Sequence, residues 1–117
     1  MKRDMDLIRQ ILLKVEELPE SGSNQALAIE GKGADEVCYH ARLAFEAGFI
    51  EAEFCDNAPA CIPYRLTWTG HEFLDTARKE HFWGQWKAAL AEASLPLSFE
   101  VLKAALPEII KRALGAS

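Results

Sequence analysis

The chain has 117 residues, half of them hydrophobic and 26% charged, with a net charge of −5. This is the composition of one folded domain with a single modest core, and it excludes long disorder and a pair of large subdomains. Apolar runs of only a few residues exclude a membrane span, and no apolar stretch follows Lys2 and Arg3 as a secretory signal would require, so a cytoplasmic location is expected.

Asp4 is placed to cap a first helix, with Asp6 in its first turn on the favourable side of the dipole. Leu7, Ile8, Ile11, Leu12, Val15 and Leu18 follow at the spacing of one buried helical face, and Pro19 with Ser21-Gly22-Ser23-Asn24 ends it. Ala26 to Ile29 reads as a short strand, followed at once by Gly31-Lys32-Gly33. Asp35 is the predicted cap of a second helix with Val37, Cys38, Ala41, Ala44 and Phe45 inward, stopped by Gly48 in a left-handed conformation.

Ile50, Ala52 and Phe54 alternate with Glu51 and Glu53, a half-buried strand. Asp56-Asn57-Ala58-Pro59 supplies a turn, and a return strand is predicted with Ile62, Tyr64, Leu66 and Trp68 inward. Pro63 implies an unpaired edge at that point. Thr69-Gly70-His71-Glu72 has the form of a capping box, with Trp68 and Phe73 as its hydrophobic staple. The buried face continues through Leu74 and Ala77 towards Phe82, Trp83 and Trp86, with Gly84 a point at which the helix can bend or break. After Leu95-Pro96, Ser98 caps a last helical segment carrying Val101, Leu102, Ala105, Leu106, Ile109 and Ile110 inward. Pro107 kinks it or begins a second short helix, and Gly115 ends it. The predicted class is therefore α+β and mostly helical. One domain over 1–117 consists of a winged helix-turn-helix-like core (1–78) and a C-terminal helical extension (79–117).

Val37-Cys38-x-His40-Ala41 with Ala44 and Ala47-Gly48-Phe49-Ile50 resembles the recognition helix and following strand of small bacterial winged-helix regulators, although Ala41 and Ala44 stand where leucines are usual. Three blocks resemble a bacterial and phage family known only as a domain of unknown function. They are Met1 to Arg9, Tyr39-His40 with Glu46-Ala47-Gly48, and Arg65 to Asp75, with a weaker likeness over Ser98 to Lys103. The resemblance implies a winged-helix-like fold and a phage or prophage setting, and it carries no catalytic residue with it.

Residues 1–78 contain 8 Lys and Arg against 14 Asp and Glu, so the core is the acidic part of the chain. A winged helix usually sets its recognition helix in the major groove, with cations on the phosphates. The outward positions here are Asp35, Glu36, Tyr39, Arg42, Leu43 and Glu46, with Glu51, Glu53 and Arg65 on the wing. Asp35 and Glu36 occupy the helix start, where a phosphate would otherwise bind. A protein partner engaged through this acidic face is the favoured expectation, a modulator or inhibitor of a host nucleic-acid-handling system among its forms. The alternative is a transcriptional regulator that places Arg42, Tyr39 and Arg65 on double-stranded DNA. Phe82, Trp83 and Trp86 are candidate interface aromatics, although packing on the core or the C-terminal helix is the favoured reading of them, and a homodimer through the C-terminal helices would use the same surface.

No enzyme chemistry, cofactor or metal is expected. Cys38 and His40 point to different sides of a helix and cannot form a nucleophile–base pair. Cys55, Cys61 and His71 lack the paired-cysteine spacing of a zinc site. Three cysteines make no disulfide framework and suit a reducing compartment; Cys55 and Cys61 flank the wing loop and could pair only if the chain were exported.

Overall fold

A computed structural model describes residues 1–78 and 80–92. The predicted C-terminal segment from Ser98 to Gly115, and any dimer through it, lies outside them. The order is α1 (Met5–Glu16), α2 (Ala34–Glu46), β1 (Ile50–Phe54), β2 (Cys61–Leu66), α3 (Trp68–Ala77) and α4 (Glu80–Glu92). The class is α+β, with one two-stranded antiparallel sheet among the described residues. The chain divides into two compact units, Met1–Leu74 and Asp75–Ser117.

In the first unit, α1 begins as predicted. The Asp4 carboxylate accepts the amides of Asp6 and Leu7 at 3.0 and 3.3 Å, satisfying two of the helix's orphan donors. Leu7, Ile8, Ile11, Leu12 and Val15 are buried against α2 and β2. Burying each such side chain contributes about 1.5–3 kcal/mol, so this stripe anchors the unit. The helix stops at Glu16, before Pro19, closed by tighter bonds from Glu17 N–H to Lys14 O and from Leu18 N–H to Val15 O.

Ala26 to Ile29 is not a strand. Ser23 N–H and Leu27 N–H donate to the carbonyls of Pro63 and Cys61, at 3.2 and 2.7 Å, so the segment runs beside β2 without forming a regular ladder. Pro63, where an unpaired edge was predicted, thus uses its carbonyl on that edge. α1 and α2 are consecutive helices joined by the irregular segment 17–33.

α2 begins earlier than the sequence predicts. Its cap is Gly33, whose carbonyl takes the Val37 amide at 3.0 Å, and it makes no side-chain cap bond. Asp35 lies inside the first turn, where its charge favours the positive helix end without capping it. Gly48 takes φ +80°, the left-handed residue expected past the helix end. Val37, His40, Ala41 and Ala44 face inward, but Phe45 is 45% exposed, outside the apolar stripe to which its spacing assigned it.

The hairpin contains an irregularity that alternation alone does not reveal. Glu51 pairs with Arg65 but Ala52 pairs with Pro63, leaving Tyr64 as the extra residue of a bulge. The bulge changes which side of β2 faces the core. Cys61 and Pro63 are buried before it and Leu66 after it, while the predicted inward Ile62 and Tyr64 are only half-buried.

α3 is capped by Thr67, two residues before the predicted Thr69. The Thr67 hydroxyl accepts the Gly70 amide at 3.0 Å and donates to the Gly48 carbonyl, and the Thr67 amide donates to Phe49 O at 2.9 Å. One residue therefore joins the exit of α2 to the start of α3. Glu72 does not complete a capping box: its carboxylate accepts Trp68 Nε1–H at 2.8 Å. Trp68 belongs to α3 and is 80% exposed, so it is neither an inward strand residue nor a staple. A side chain at Gly70 would overlap the Phe49 carbonyl, so only glycine permits this close approach. Phe49 and Phe73 stack at 5.0 Å between ring centres and close the core.

In the second unit, α4 passes through Gly84 without the predicted interruption. Trp83 is 4% exposed. The side chains of Phe82 and Trp86 lie outside the described residues. None of the described helices is long and apolar enough to cross a membrane.

Candidate functional site

The eight candidate partner-binding residues fall into two groups. Asp35, Glu36, Tyr39, Arg42 and Glu46 lie along α2, while Glu51, Glu53 and Arg65 lie on the hairpin. Phe54 turns towards α2: its ring meets Phe45 edge-on at 5.6 Å and lies beneath the Arg42 guanidinium at 4.3 Å. Strand alternation sends Glu51 and Glu53 to the opposite side of β1. The structure therefore does not bring the eight residues together on one face.

The α2 face carries exposed Tyr39 and Phe45, the Arg42–Phe54 pair, and the carboxylates of Asp35, Glu36 and Glu46. Lys32, at its edge, lies 3.5 Å from Glu36 and 3.9 Å from Asp4, so its charge is shared between two carboxylates. Phe45 and Phe54 were read from the sequence as core residues. The signal missed was that Phe45 stands roughly 80° of helix rotation from the stripe formed by Val37, His40, Ala41 and Ala44.

Beneath this face lies His40, 1% exposed. Its Nε2 accepts the Asp4 amide at 2.9 Å, which leaves Nδ1 to carry the ring proton and donate to Glu36 O at 2.8 Å. With both nitrogens occupied, His40 joins the start of α1 to α2 and is not presented to a partner.

On the hairpin, Arg65 is ion-paired across the two strands. Nε and Nη2 donate to the two Glu51 carboxylate oxygens at 2.9 and 2.8 Å, and Nη1 donates to Leu66 O at 3.2 Å. A hydrogen bond from Tyr64 to the Glu53 carboxylate, with lesser contributions from burial and the Glu53 charge, raises the Tyr64 phenol above its ordinary value. Arg65 also lines a half-open cleft of about 250 Å³ with Val15, Leu18, Leu66 and His71.

Cys38, Cys55 and Cys61 are free thiols, half-buried, exposed and buried respectively. Burial pushes the Cys61 thiol up to about 11, with the nearby Cys38 and Cys55 adding to the shift and Arg42 opposing it. Among the described residues, no three His, Cys, Asp or Glu side chains come together as a metal-ion site, Cys55, Cys61 and His71 included.

An uncharacterized protein of Haemophilus influenzae is 39% identical to this chain over 118 residues, covering 98% of the chain and all of the relative. No solved structure matches the chain significantly. Residues 2–96 match the family model described as "Hypothetical protein (DUF2513)", and the chain belongs to that family.

Proposed function

We propose that this chain is a non-catalytic, winged-helix-like docking protein, of the phage or prophage type, that binds a basic surface of another protein through α2. The observation that carries this reading is the state of the cations. Arg65 is bound by Glu51, Lys32 is shared by Asp4 and Glu36, and Arg42 lies over Phe54. A DNA-binding module making about 6–10 phosphate contacts needs cations turned outward on one face. This face instead surrounds two exposed aromatic rings with an excess of carboxylates. Aromatic anchors bordered by charge are what a protein interface uses: the rings supply buried area, and the charges steer a basic partner into register. A basic partner of this kind belongs to nucleic-acid handling, which makes modulation of such a host system the natural role.

The test compares immobilised basic nucleic-acid-binding proteins with random-sequence duplex DNA, each across a salt series. Capture of a basic protein that is lost in both Tyr39→Ala and Phe45→Ala supports docking. Micromolar DNA binding that weakens steeply with salt and disappears in Arg42→Ala would replace it with the regulator reading.

A further inference from the structure

The free side of β1 offers a second means of engaging a partner, built from backbone groups. Along an antiparallel pair, residues alternate between exchanging hydrogen bonds with the neighbouring strand and turning their N–H and C=O away from it. Two bonds fix the phase here: Cys55 N–H donates to Ala60 O at 3.1 Å, and Thr67 N–H donates to Phe49 O at 2.9 Å. The bulge lies in β2, so alternation along β1 is unbroken. Glu51 and Glu53 therefore bond to β2, whereas Ala52 and Phe54 face away from it. β2 has the matching phase, because Cys61 and Pro63, opposite Phe54 and Ala52, turn their carbonyls outward to Leu27 and Ser23. That edge of the sheet is taken. Among the described residues, none hydrogen-bonds the outward main-chain groups of Ala52 and Phe54.

An edge strand with unpaired main-chain groups is a template for another extended segment. The side chains of β1 define what that segment carries. Phe54 lies on the α2 side, against Phe45 and Arg42, and Ala52 shares that side by alternation; both are half-buried. The other side carries exposed Glu51 and Glu53. Arg65 pairs with Glu51, while no cation among the described residues pairs with Glu53. A second copy of β1 fits poorly. Antiparallel pairing about Ala52 sets Glu51 of one copy against Glu53 of the other, and like charges directly opposite repel. A segment with apolar residues opposite Ala52 and Phe54 and a cation opposite Glu53 suits both sides.

We propose that β1 is a docking edge for an extended segment of a basic protein, which adds as an antiparallel strand with apolar side chains beside Phe45 and Phe54 and a lysine or arginine on Glu53. This deepens the docking reading, on which the choice of a basic protein rests, and adds a main-chain contact to it.

The experiment follows amide hydrogen exchange in the ¹⁵N-labelled full chain as a blocked pentapeptide of alternating lysine and valine is added. In the free chain the Ala52 and Phe54 amides should exchange faster than that of Glu53, and the peptide should slow both saturably. The same peptide N-methylated at its valines keeps every side chain but loses the N–H groups aimed at β1. It should bind at least about tenfold more weakly to the unaltered protein. Glu53→Gln, a change at an exposed position, should weaken binding by up to about fivefold, as an exposed ion pair allows. Slow exchange at Ala52 and Phe54 in the free chain, equal affinity for the N-methylated peptide, or tighter binding of a glutamate–valine peptide would overturn the proposal. Capture of a basic protein that is lost in Tyr39→Ala, with no protection at Ala52 and Phe54, overturns strand addition while leaving docking through α2 standing. Protection of both amides by the peptide, where the α2 substitutions change no capture, supports strand addition and removes the α2 face.

Discussion

His40 shows how much a single side chain can hold when both of its polar atoms are used. It sits at the junction of α1 and α2, accepting from Asp4 N–H and donating to Glu36 O in a nearly solvent-free position. His40→Ala removes the acceptor of the Asp4 amide and the second donor to Glu36 O and opens a cavity, at a cost of about 2–4 kcal/mol. Urea unfolding measures the loss, and faster hydrogen exchange at the Asp4 amide locates it. Cys61 is the second buried residue with a readable consequence. Its folded-state value of about 11 lies above the 9.0 of an unperturbed thiol, so the folded protein keeps a proton that the unfolded chain loses. The contribution is complete below pH 9.0 and is lost as pH rises through about 11. Urea midpoints should fall across that window in the native chain and fall less in Cys61→Ala. Under native conditions, iodoacetamide should modify exposed Cys55 well before Cys61, as followed by mass spectrometry.

The start of α3 tests the elements. Two threonines compete for the cap by sequence, and the chain uses Thr67 because its hydroxyl can also reach Gly48 O and its amide Phe49 O. Thr67→Ala should cost about 1–2 kcal/mol, the range for a lost N-cap, whereas Thr69→Ala, inside the first turn, should cost much less. The reverse order in thermal or urea unfolding would restore the sequence-based capping box. The helices and the hairpin were legible because their apolar residues recur at 3.6 and 2, and the α1 cap and the Gly48 stop because their chemistry is local. The errors have a common source. The cap of α3, the outward Trp68, the inward Pro63 and the absent strand at Ala26 to Ile29 all depend on contacts with residues far along the chain, or on the bulge at Tyr64.

At the scale of the molecule, the excess of carboxylates predicts how a partner arrives. If docking uses the α2 face, association with a basic protein should slow as ionic strength rises, with a smaller change in dissociation. Asp35→Lys/Glu46→Lys should lower the association rate by about tenfold or more at low salt, as measured by surface plasmon resonance. A rate insensitive to salt would remove electrostatic steering from the account. The acidity, the α+β class and the buried stripe of α1 were determined by the sequence alone, because charge is additive and amphipathic periodicity is local. Tertiary structure decided which of those charges remain available. Arg65 meets Glu51 only through the pairing register of the hairpin, Arg42 meets Phe54 only where α2 packs on β1, and the cleft exists only where the end of α1 crosses β2 and α3. These are distances between residues remote in sequence, set by packing, and composition and spacing do not encode them directly.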